Sequence, residues 1–135
     1  MIFKGLEVSL TGMEAQRVRI DIHSSNLANA NSVDENGNPY RRKIPIFESV
    51  LEKTAKGEIY RVKVKKIVED PSPYKLKYDP SNPLADKNGY VKLPNVDPIR
   101  EMVDMISAMR TYEANLTAFN THKGMLLSAI DILKA

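Results

Sequence analysis

The fold of this 135-residue chain is decided by its last third, residues 98–135, which read PIREMVDMISAMRTYEANLTAFNTHKGMLLSAIDILKA. From Met102 to Leu133, largely apolar side chains recur at alternating steps of three and four, and only Lys123 breaks the series. This spacing places side chains on one face of a helix. Its average of about 3.5 residues per turn is typical of a coiled-coil seam. The segment therefore predicts one helix, roughly 55 Å long at about 1.5 Å per residue, which needs a partner along its length.

A second stripe with the same spacing opens the chain. Its polar interruptions are Arg17 and Ser24. Its apolar members are Phe3, Leu6, Leu10, Met13, Ile20 and Leu27. We predict a helix over residues 3–30 that pairs with the C-terminal helix. Gly5 and Gly12 each cost about 1 kcal/mol relative to alanine inside a helix, so the first turns need packing against another element to stay ordered.

Together the two stripes predict an assembly seam, a surface through which helices pack within a subunit and between subunits. The simplest alternative is a helix pair within one chain whose seam is only a core. Two long helices without a third layer are marginal alone, so we expect further packing on their flanks. The predicted seam consists of Leu6, Leu10, Met13, Ile20, Leu27, Met102, Met105, Met109, Tyr112, Leu116, Phe119, Leu126, Ile130 and Leu133.

Between the helices the periodicity changes to that of short strands. Residues 40–47 predict a strand that Pro45 confines to a sheet edge, and residues 47–54 fit a short helix or a continued strand. Residues 59–68 alternate, with Tyr60, Val62 and Val64 on one face, and a slip near Lys66 indicates a bulge. A third alternating segment spans 74–78.

Residues 79–97 are rich in proline, asparagine and aspartate, and we interpret them as an extended connection with a tight turn at Asn88-Gly89. Asp97 and Pro98 then mark the start of the last helix. The predicted fold class is α+β: long N- and C-terminal helices paired as a coiled-coil-like unit, with a small β-rich insert between them. The predicted domains are 1–32 with 98–135, and 33–97.

Composition narrows the classes of function. The chain has no cysteine, so disulfides and thiolate sites are excluded. Its first residues lack the pattern of a cleaved secretory signal, and no apolar run reaches the length of a membrane span. The net charge of +3 is too small to indicate a nucleic-acid partner by itself.

Five short motifs are similar to those of bacterial flagellar axial proteins. They read SNLANAN at 25–31, NPLAD at 82–86, GYVKLPNVD at 89–97, EMVDMI at 101–106 and RTYEAN at 110–115. In order and total length the chain resembles the FlgC family of proximal rod proteins of the flagellar basal body. The residues that carry this resemblance include Ser25, Asn26, Leu27, Ala28, Asn29, Asn31, Asn82, Pro83, Gly89, Tyr90, Pro94, Asn95, Asp97, Arg110, Tyr112, Glu113 and Asn115.

The resemblance implies a structural subunit of the rod, the drive shaft that transmits torque from the motor to the hook and filament. It implies export by the flagellar type III apparatus without a cleaved signal, and a location in the rod that spans the periplasm. The implied partners are other copies of itself, other rod proteins and the base and export-gate proteins. No cofactor, metal, small-molecule substrate, nucleic acid or direct membrane insertion is expected.

The asparagines of the first motif are also interpretable from their position at a helix end. Asn31 is expected to cap the helix, either through its side chain or by entering the left-handed backbone region. Asn26 and Asn29 are three residues apart and share a face. For them we weigh hydrogen bonds to the insert against hydrogen bonds to a neighbouring subunit.

The two rival classes of function are an enzyme and a nucleic-acid binder. For an enzyme, the titratable candidates are His23 and His122, one on each helix, and no phosphate loop, metal-spaced cluster or nucleophile motif accompanies them. A coiled-coil adaptor that binds nucleic acid is the stronger rival. Residues 40–78 hold eleven Lys or Arg and five Asp or Glu, a surplus of six positive charges, with Tyr60, Tyr74 and Tyr78 interleaved.

Overall fold

The computed structural model describes residues 2–55 and 57–134, and the side chain of Ile2 is not described. In chain order the elements are α1 (Ile2–Ala28), β1 (Lys43–Thr54), β2 (Gly57–Glu69), β3 (Lys75–Tyr78), β4 (Tyr90–Leu93) and α2 (Pro98–Lys134). The predicted α+β class, with two long terminal helices around a small antiparallel insert, is confirmed. The predicted end of the last helix at Ala135 and the domain limit at residue 1 lie outside the described residues.

The two helices pack antiparallel with a constant register. Gly5 lies against His122, Gly12 against Asn115, and Asn26 against Glu101, in steps of seven residues or multiples of seven on both helices. A Cβ on Gly5 would lie 2.6 Å from Cε1 of His122, and a Cβ on Gly12 would lie 2.9 Å from Nδ2 of Asn115. The glycines therefore let α2 approach closely and are themselves packed, which offsets their helix-propensity cost.

The contact face of α2 is rotated from the stripe that the sequence indicated. It is centred on Glu101, Ala108, Asn115 and His122, and the first two are completely buried. Of the predicted seam, the half-buried side chains are Leu6, Met13, Ile20, Leu27, Met105, Tyr112, Phe119 and Leu126. The exposed members are Leu10, Met102, Met109, Leu116, Ile130 and Leu133. The four half-buried members on α2 lie three or four positions from Glu101, Ala108, Asn115 and His122, so small and polar residues alternate with large apolar ones on the contact face and the predicted stripe overlaps it on one side.

A third layer, which the sequence did not reveal, lies along α1. β1 and β2 form a hairpin, and Arg61 of β2 bonds to Glu7 of α1 with Nη2 3.2 Å from Oε2. At the other end of α1, Asn26 bonds to the backbone of Lys43, the first residue of β1. The hairpin therefore runs beside α1 over most of its length. Among the described residues, α2 packs against α1 and against none of the strands.

The two layers occupy different sides of α1. Gly5, Gly12 and Asn26 face α2, whereas Glu7, Val18 and Ser25 border the hairpin. At about 100° per residue, these two sets are centred roughly a third of a turn apart. α1 is consequently the central element of the subunit, with α2 and the hairpin flanking it.

The hairpin has the register slip that the sequence indicated. Ile46 pairs with Lys66 and Phe47 with Val64, so Lys65 is the extra residue of a bulge, and the predicted slip near Lys66 is confirmed. β1 begins at Lys43 rather than at residue 40 and continues extended through 47–54, which resolves the alternative left open there. Pro45 is tolerated because β1 has only one neighbouring strand.

A second two-stranded sheet was only half predicted. β3 corresponds to the alternating segment at 74–78, but β4 lies inside the stretch interpreted as an extended connection, where no strand was predicted. The turn at Asn88-Gly89 is present: Gly89 has φ 83° and Oδ1 of Asp86 accepts hydrogen bonds from the amides of Asn88 and Tyr90, both 2.9 Å. β4 was missed because its four residues follow the Asn88-Gly89 turn directly and are bounded by Pro94, within a stretch rich in residues that favour turns.

The buried interior is small and partly polar. Its apolar members are Ala15, Ile22, Ile59, Val91, Val96 and Ala108. The fully buried side chains of largest volume are Glu101, Val96, Asn26 and Pro94, two of which are polar. The helix pair is therefore held by close approach and by hydrogen bonds more than by a large apolar core.

The close approach of the helices gives a matched test with two glycines. Gly12→Leu should destabilise the fold by about 1–3 kcal/mol, because leucine would displace Asn115 from a packed contact. Gly124→Leu should be neutral or stabilising by up to about 1 kcal/mol, because no atom lies within 4 Å of a Cβ there. Urea unfolding followed by circular dichroism measures both. Equal effects at the two positions would contradict the described register.

Candidate functional site

Among the described residues, Glu101, in the first turn of α2, is a charged residue that is completely buried. Its Oε2 accepts hydrogen bonds from Nδ1 of His23 at 2.6 Å and from Nδ2 of Asn26 at 3.1 Å, both on α1. Its Oε1 accepts from Nε of Arg42, just before β1. We call His23, Asn26, Arg42 and Glu101 the polar node. It joins both helices to the start of the insert.

Asn26 is the residue of the polar node that engages the insert backbone. Its Oδ1 accepts from the amide of Lys43 at 3.0 Å and from the hydroxyl of Tyr40 at 2.8 Å, and its Nδ2 donates to the carbonyl of Lys43 at 2.9 Å. The amide group thus pairs with one residue of β1 in the way that a neighbouring strand would. Of the two partners weighed for Asn26, the structure shows the insert.

An ion pair with Asp70 and hydrogen bonds of Asn95 fix Arg42 and the connection before α2. Nη1 of Arg42 lies 3.1 Å from Oδ2 of Asp70, and the amide of Arg42 donates to Oδ1 of Asn95 at 2.8 Å. Nδ2 of Asn95 donates to the carbonyls of Asp70 and Ser72, each at 3.1 Å. Asn95 therefore ties together the start of β1, the end of β2 and the approach to α2.

The electrostatics of the polar node favour an ionised Glu101. Burial raises the pKa of this carboxyl, but hydrogen bonds from Arg42, His23 and Asn26 lower it by more, so its pKa lies below the ordinary range. An ionised carboxylate only accepts hydrogen bonds, so Nδ1 of His23 carries the proton in this contact. The pKa of Arg42 is raised: burial lowers it, and its contacts with Glu101 and Asp70 outweigh that effect.

The other motif asparagines have local roles. Nδ2 of Asn29 and the Asn29 amide both donate to the carbonyl of Ser25, at 2.8 and 3.1 Å, at the end of α1, whose last residue is Ala28 rather than residue 30. Among the described residues, no residue other than glycine has positive φ, so Asn31 does not enter the left-handed region. Beyond the helix, the amides of Ala30 and Ser32 donate to the carbonyls of Leu27 and Asn29 at 3.2 and 3.1 Å, so i→i−3 bonds replace the helical pattern.

The remaining motif residues lie in three places. Oδ1 of Asn82 accepts from the amide of Leu84 at 2.9 Å, and Oδ1 of Asp97 accepts from the amide of Ile99 at 3.1 Å, as a helix N-cap does. Asn115 contacts Gly12 within the helix pair. The side chains of Arg110 and Glu113 are exposed on α2. Pro83 and Pro94 lie in the connection, where Pro94 is buried.

Sequence reasoning missed the chemistry of the polar node. Glu101 was recognised only as part of a motif, and His23 was weighed only as an isolated titratable group. The signal that was present is the spacing of His23 and Asn26, three residues apart and on one helix face. Nothing in the sequence pairs that face with Glu101, because the pairing depends on the register of α1 against α2.

Three tyrosines of the insert, Tyr74, Tyr78 and Tyr90, make ring contacts within the subunit. The guanidinium of Arg41 lies 4.3 Å from the centre of the Tyr74 ring, and the rings of Tyr78 and Tyr90 meet edge to face with centres 5.3 Å apart. Arg41 also donates to the carbonyls of Asp70 and Ser72. These contacts give Arg41, Tyr74 and Tyr78 roles in holding the insert together.

The outer side of α2 carries many large apolar side chains that nothing described covers. Near its start they are Ile99, Met102, Val103, Ile106 and Met109, which we call the α2 patch. Further along, Leu116, Met125, Leu127 and Ile132 are also exposed. Ile130 and Leu133 are exposed as well, because the register carries the end of α2 past the start of α1. Exposed apolar surface on this scale marks an interaction site. No helix in the described part of the chain is long and apolar enough to cross a membrane.

Two known protein families match the chain, and one of the matched segments contains most of this surface. The family described as "Flagella basal body rod protein" matches residues 6–34, and the family described as "Flagellar basal body rod FlgEFG protein C-terminal" matches residues 87–132. These segments cover most of α1, and β4 with most of α2. They define the class: the chain shares the two conserved terminal regions of flagellar rod proteins.

Individual relatives identify the branch. The chain is similar to the "Flagellar basal-body rod protein FlgC" of Aquifex aeolicus, with 51% identity over 122 residues that cover 90% of both chains. The FlgC proteins of Bacillus subtilis and Salmonella typhimurium are 47% and 44% identical, with 98% and 93% of each chain covered. The chain therefore belongs to the FlgC family of flagellar basal-body rod proteins.

The polar node predicts how stability depends on pH. The pKa of Glu101 is depressed in the folded chain. At a pH just below the ordinary glutamate pKa of about 4.3, this carboxyl therefore binds more protons in the unfolded chain than in the folded chain. The stability that the ionised carboxylate contributes is thus present above that value and lost as pH falls through the folded pKa. Glu101→Gln should cost about 2 kcal/mol at pH 7.

The measurement is the urea midpoint of both proteins at pH 7 and in the acid range, with Glu113→Gln, an exposed glutamate on the same helix, as control. The difference between wild type and Glu101→Gln should shrink as pH falls, whereas the control should follow wild type throughout. A difference that is constant with pH would show that Glu101 acts only by its shape.

Proposed function

We propose that this chain builds the flagellar rod through the apolar side of α2 that its own fold leaves uncovered, while the polar node holds the insert in a fixed orientation. As a member of the FlgC family it is a structural subunit of the basal-body rod and assembles with other rod components. The observation that supports the proposal is the large apolar surface of α2 beside a small buried interior.

The distribution of side chains along α2 supports this division of labour. Small and polar residues such as Ala108 and Asn115 face α1, whereas Met109 and Leu116, one position on in each case, are exposed. A helix that needed only its intramolecular partner would place its large apolar residues in that contact. The exposed members of the predicted seam are therefore available to helices of neighbouring subunits.

The partners proposed for this surface are other copies of the chain, other rod proteins and the base and export-gate proteins that precede them in assembly. The rod transmits torque, so its subunits must not shear past one another. Contacts of helices along the axis suit that load, because apolar surface is buried over many turns and each turn adds to the contact. The insert, held by the polar node, is proposed to lie outside the axial helices.

Assembly through the exposed side of α2 is tested by a charge at its centre. Leu116→Asp should abolish rod assembly and motility, because an unpaired carboxylate cannot be buried between helices without a large cost. The same variant should keep the circular dichroism of wild type and lower the urea midpoint less than Phe119→Asp does, since Leu116 is 38% exposed in the subunit whereas Phe119 is half-buried.

The control is Glu35→Gln, a charge change in the exposed loop after α1, which should leave motility unchanged. Phe119→Asp, on the half-buried margin, should also abolish motility but should lower the urea midpoint. Swimming in soft agar and recovery of tagged protein with purified basal bodies provide the readout. Normal motility in both Leu116→Asp and Phe119→Asp would refute the role of this surface.

A further inference from the structure

The β1–β2 hairpin turns its more apolar face away from the rest of the subunit. Ile59 is buried beside α1 and Arg61 bonds to Glu7, so these two side chains of β2 face inward. Tyr60 and Val62, which alternate with them, face outward. They are 63% and 44% exposed, and Leu51, paired with Tyr60 on the same face, is 41% exposed.

The inward face is mixed. It carries the buried Ile59 together with charged residues, of which Arg61 pairs with Glu7 of α1 and with Glu52 across the hairpin. The outward face carries Leu51, Tyr60 and Val62, which we call the hairpin patch. The sequence predicted that Tyr60, Val62 and Val64 share one face, and within the subunit Tyr60 and Val62 are exposed whereas Val64 is half-buried. A solvated antiparallel sheet normally directs its apolar face to the core, so the outward face requires another cover.

We propose that the hairpin patch docks on the α2 patch of a second copy of this chain. The inference rests on the proposed side-by-side assembly of copies. It adds a specific contact, between the insert of one copy and the axial helix of the next, that the helices alone do not imply. Within one subunit the other face of the same hairpin already packs along a helix, α1, so a second helix on the outward face completes a sheet covered on both sides.

Charge favours a helix over another hairpin as the occupant. Residues 40–78 hold a surplus of six positive charges, so two inserts placed face to face would repel. Residues 98–134 hold four basic and four acidic side chains and are neutral overall. The α2 patch continues along the same exposed helix face into Ser107, Arg110 and Thr111, where the ring of Tyr60 would pack in the proposed contact.

The positions of the two patches determine the kind of assembly. The hairpin patch lies level with the first turns of α1, because Arg61 bonds to Glu7. The α2 patch lies level with the last turns of α1, because Glu101 bonds to Asn26. At about 1.5 Å per residue, the two patches are staggered by about 25 Å along the helix axis. Two different, staggered surfaces make a heterologous contact, which generates an open polymer and not a closed pair.

The contact is too small to hold a free dimer. A two-stranded ribbon is about 10 Å wide, and a patch about 20 Å long buries on the order of 200 Å² on each copy. A stable pairwise interface needs about 1,200 Å² in total. The hairpin contact therefore forms alongside the axial helix contacts in assembled rods, and it must be sought there.

The absence of cysteine from the sequence makes cross-linking a direct test. The variant Tyr60→Cys with Ile106→Cys is expressed in cells that lack the natural gene, and purified basal bodies are treated with a short bismaleimide. Because each copy carries both sites, a ladder of dimers and higher multimers is expected on denaturing gels. A second pair, Val62→Cys with Val103→Cys, should give the same ladder if the first pair does not assemble.

Matched controls separate the outcomes. Ile59→Cys with Ile106→Cys places the hairpin thiol one residue away on the α1-facing side, and it should give no ladder. Tyr60→Cys alone should give no dimer. Rods that contain the chain but show no ladder with either pair would overturn the inference and leave the proposed function standing. A dimer from Tyr60→Cys alone, or a product with another protein, would likewise overturn it. Loss of the wild-type chain from basal bodies would instead refute the proposed function.

Discussion

The arrangement of this subunit depends on one requirement: the carboxylate of Glu101 is fully buried and ionised, so each of its oxygens must accept hydrogen bonds. A buried charge without partners costs several kcal/mol, and this cost fixes which groups lie beside it. His23 and Asn26 set the level of α1 against α2, and Arg42 sets where the insert begins. The hydrogen bonds of this one side chain thus hold together three segments that are distant in sequence: α1, the start of the insert and α2.

The rest of the helix pair follows from the register that this contact fixes. Fourteen and twenty-one residues along from Asn26 and Glu101, glycines on α1 meet Asn115 and His122 on α2. Polar side chains inside a helix contact are tolerated only in the register that accommodates them, so these layers oppose sliding by one heptad. Close approach through small residues leaves the large apolar side chains of α2 on the outside. The same constraint therefore explains both the small interior and the surface available for assembly.

The sequence allowed prediction of the features that depend on local periodicity. Both helices, the bulge near Lys66, the turn at Asn88-Gly89 and the family resemblance through the asparagine motif are of this kind. The face of α2 that meets α1 was only partly predicted. Met105, Tyr112, Phe119 and Leu126 are half-buried on that face, but the side chains that lie against Gly5 and Gly12 are the polar His122 and Asn115. The outward direction of Tyr60 was missed for a related reason: alternation separates two faces but does not say which one meets the core. The partners of Glu101 depend on tertiary register, which no local pattern contains.

The most direct test of the account measures whether the polar node fixes the insert on the helices. Spin labels on Glu14→Cys of α1 and Lys63→Cys of β2, both exposed positions, report the distance between helix and hairpin by pulsed electron resonance. The wild-type background should give one narrow distance distribution, and Glu101→Ala should broaden it while α1 and α2 remain helical by circular dichroism. An unchanged narrow distribution in Glu101→Ala would contradict the central claim, because the hairpin would then be held on α1 without the buried carboxylate.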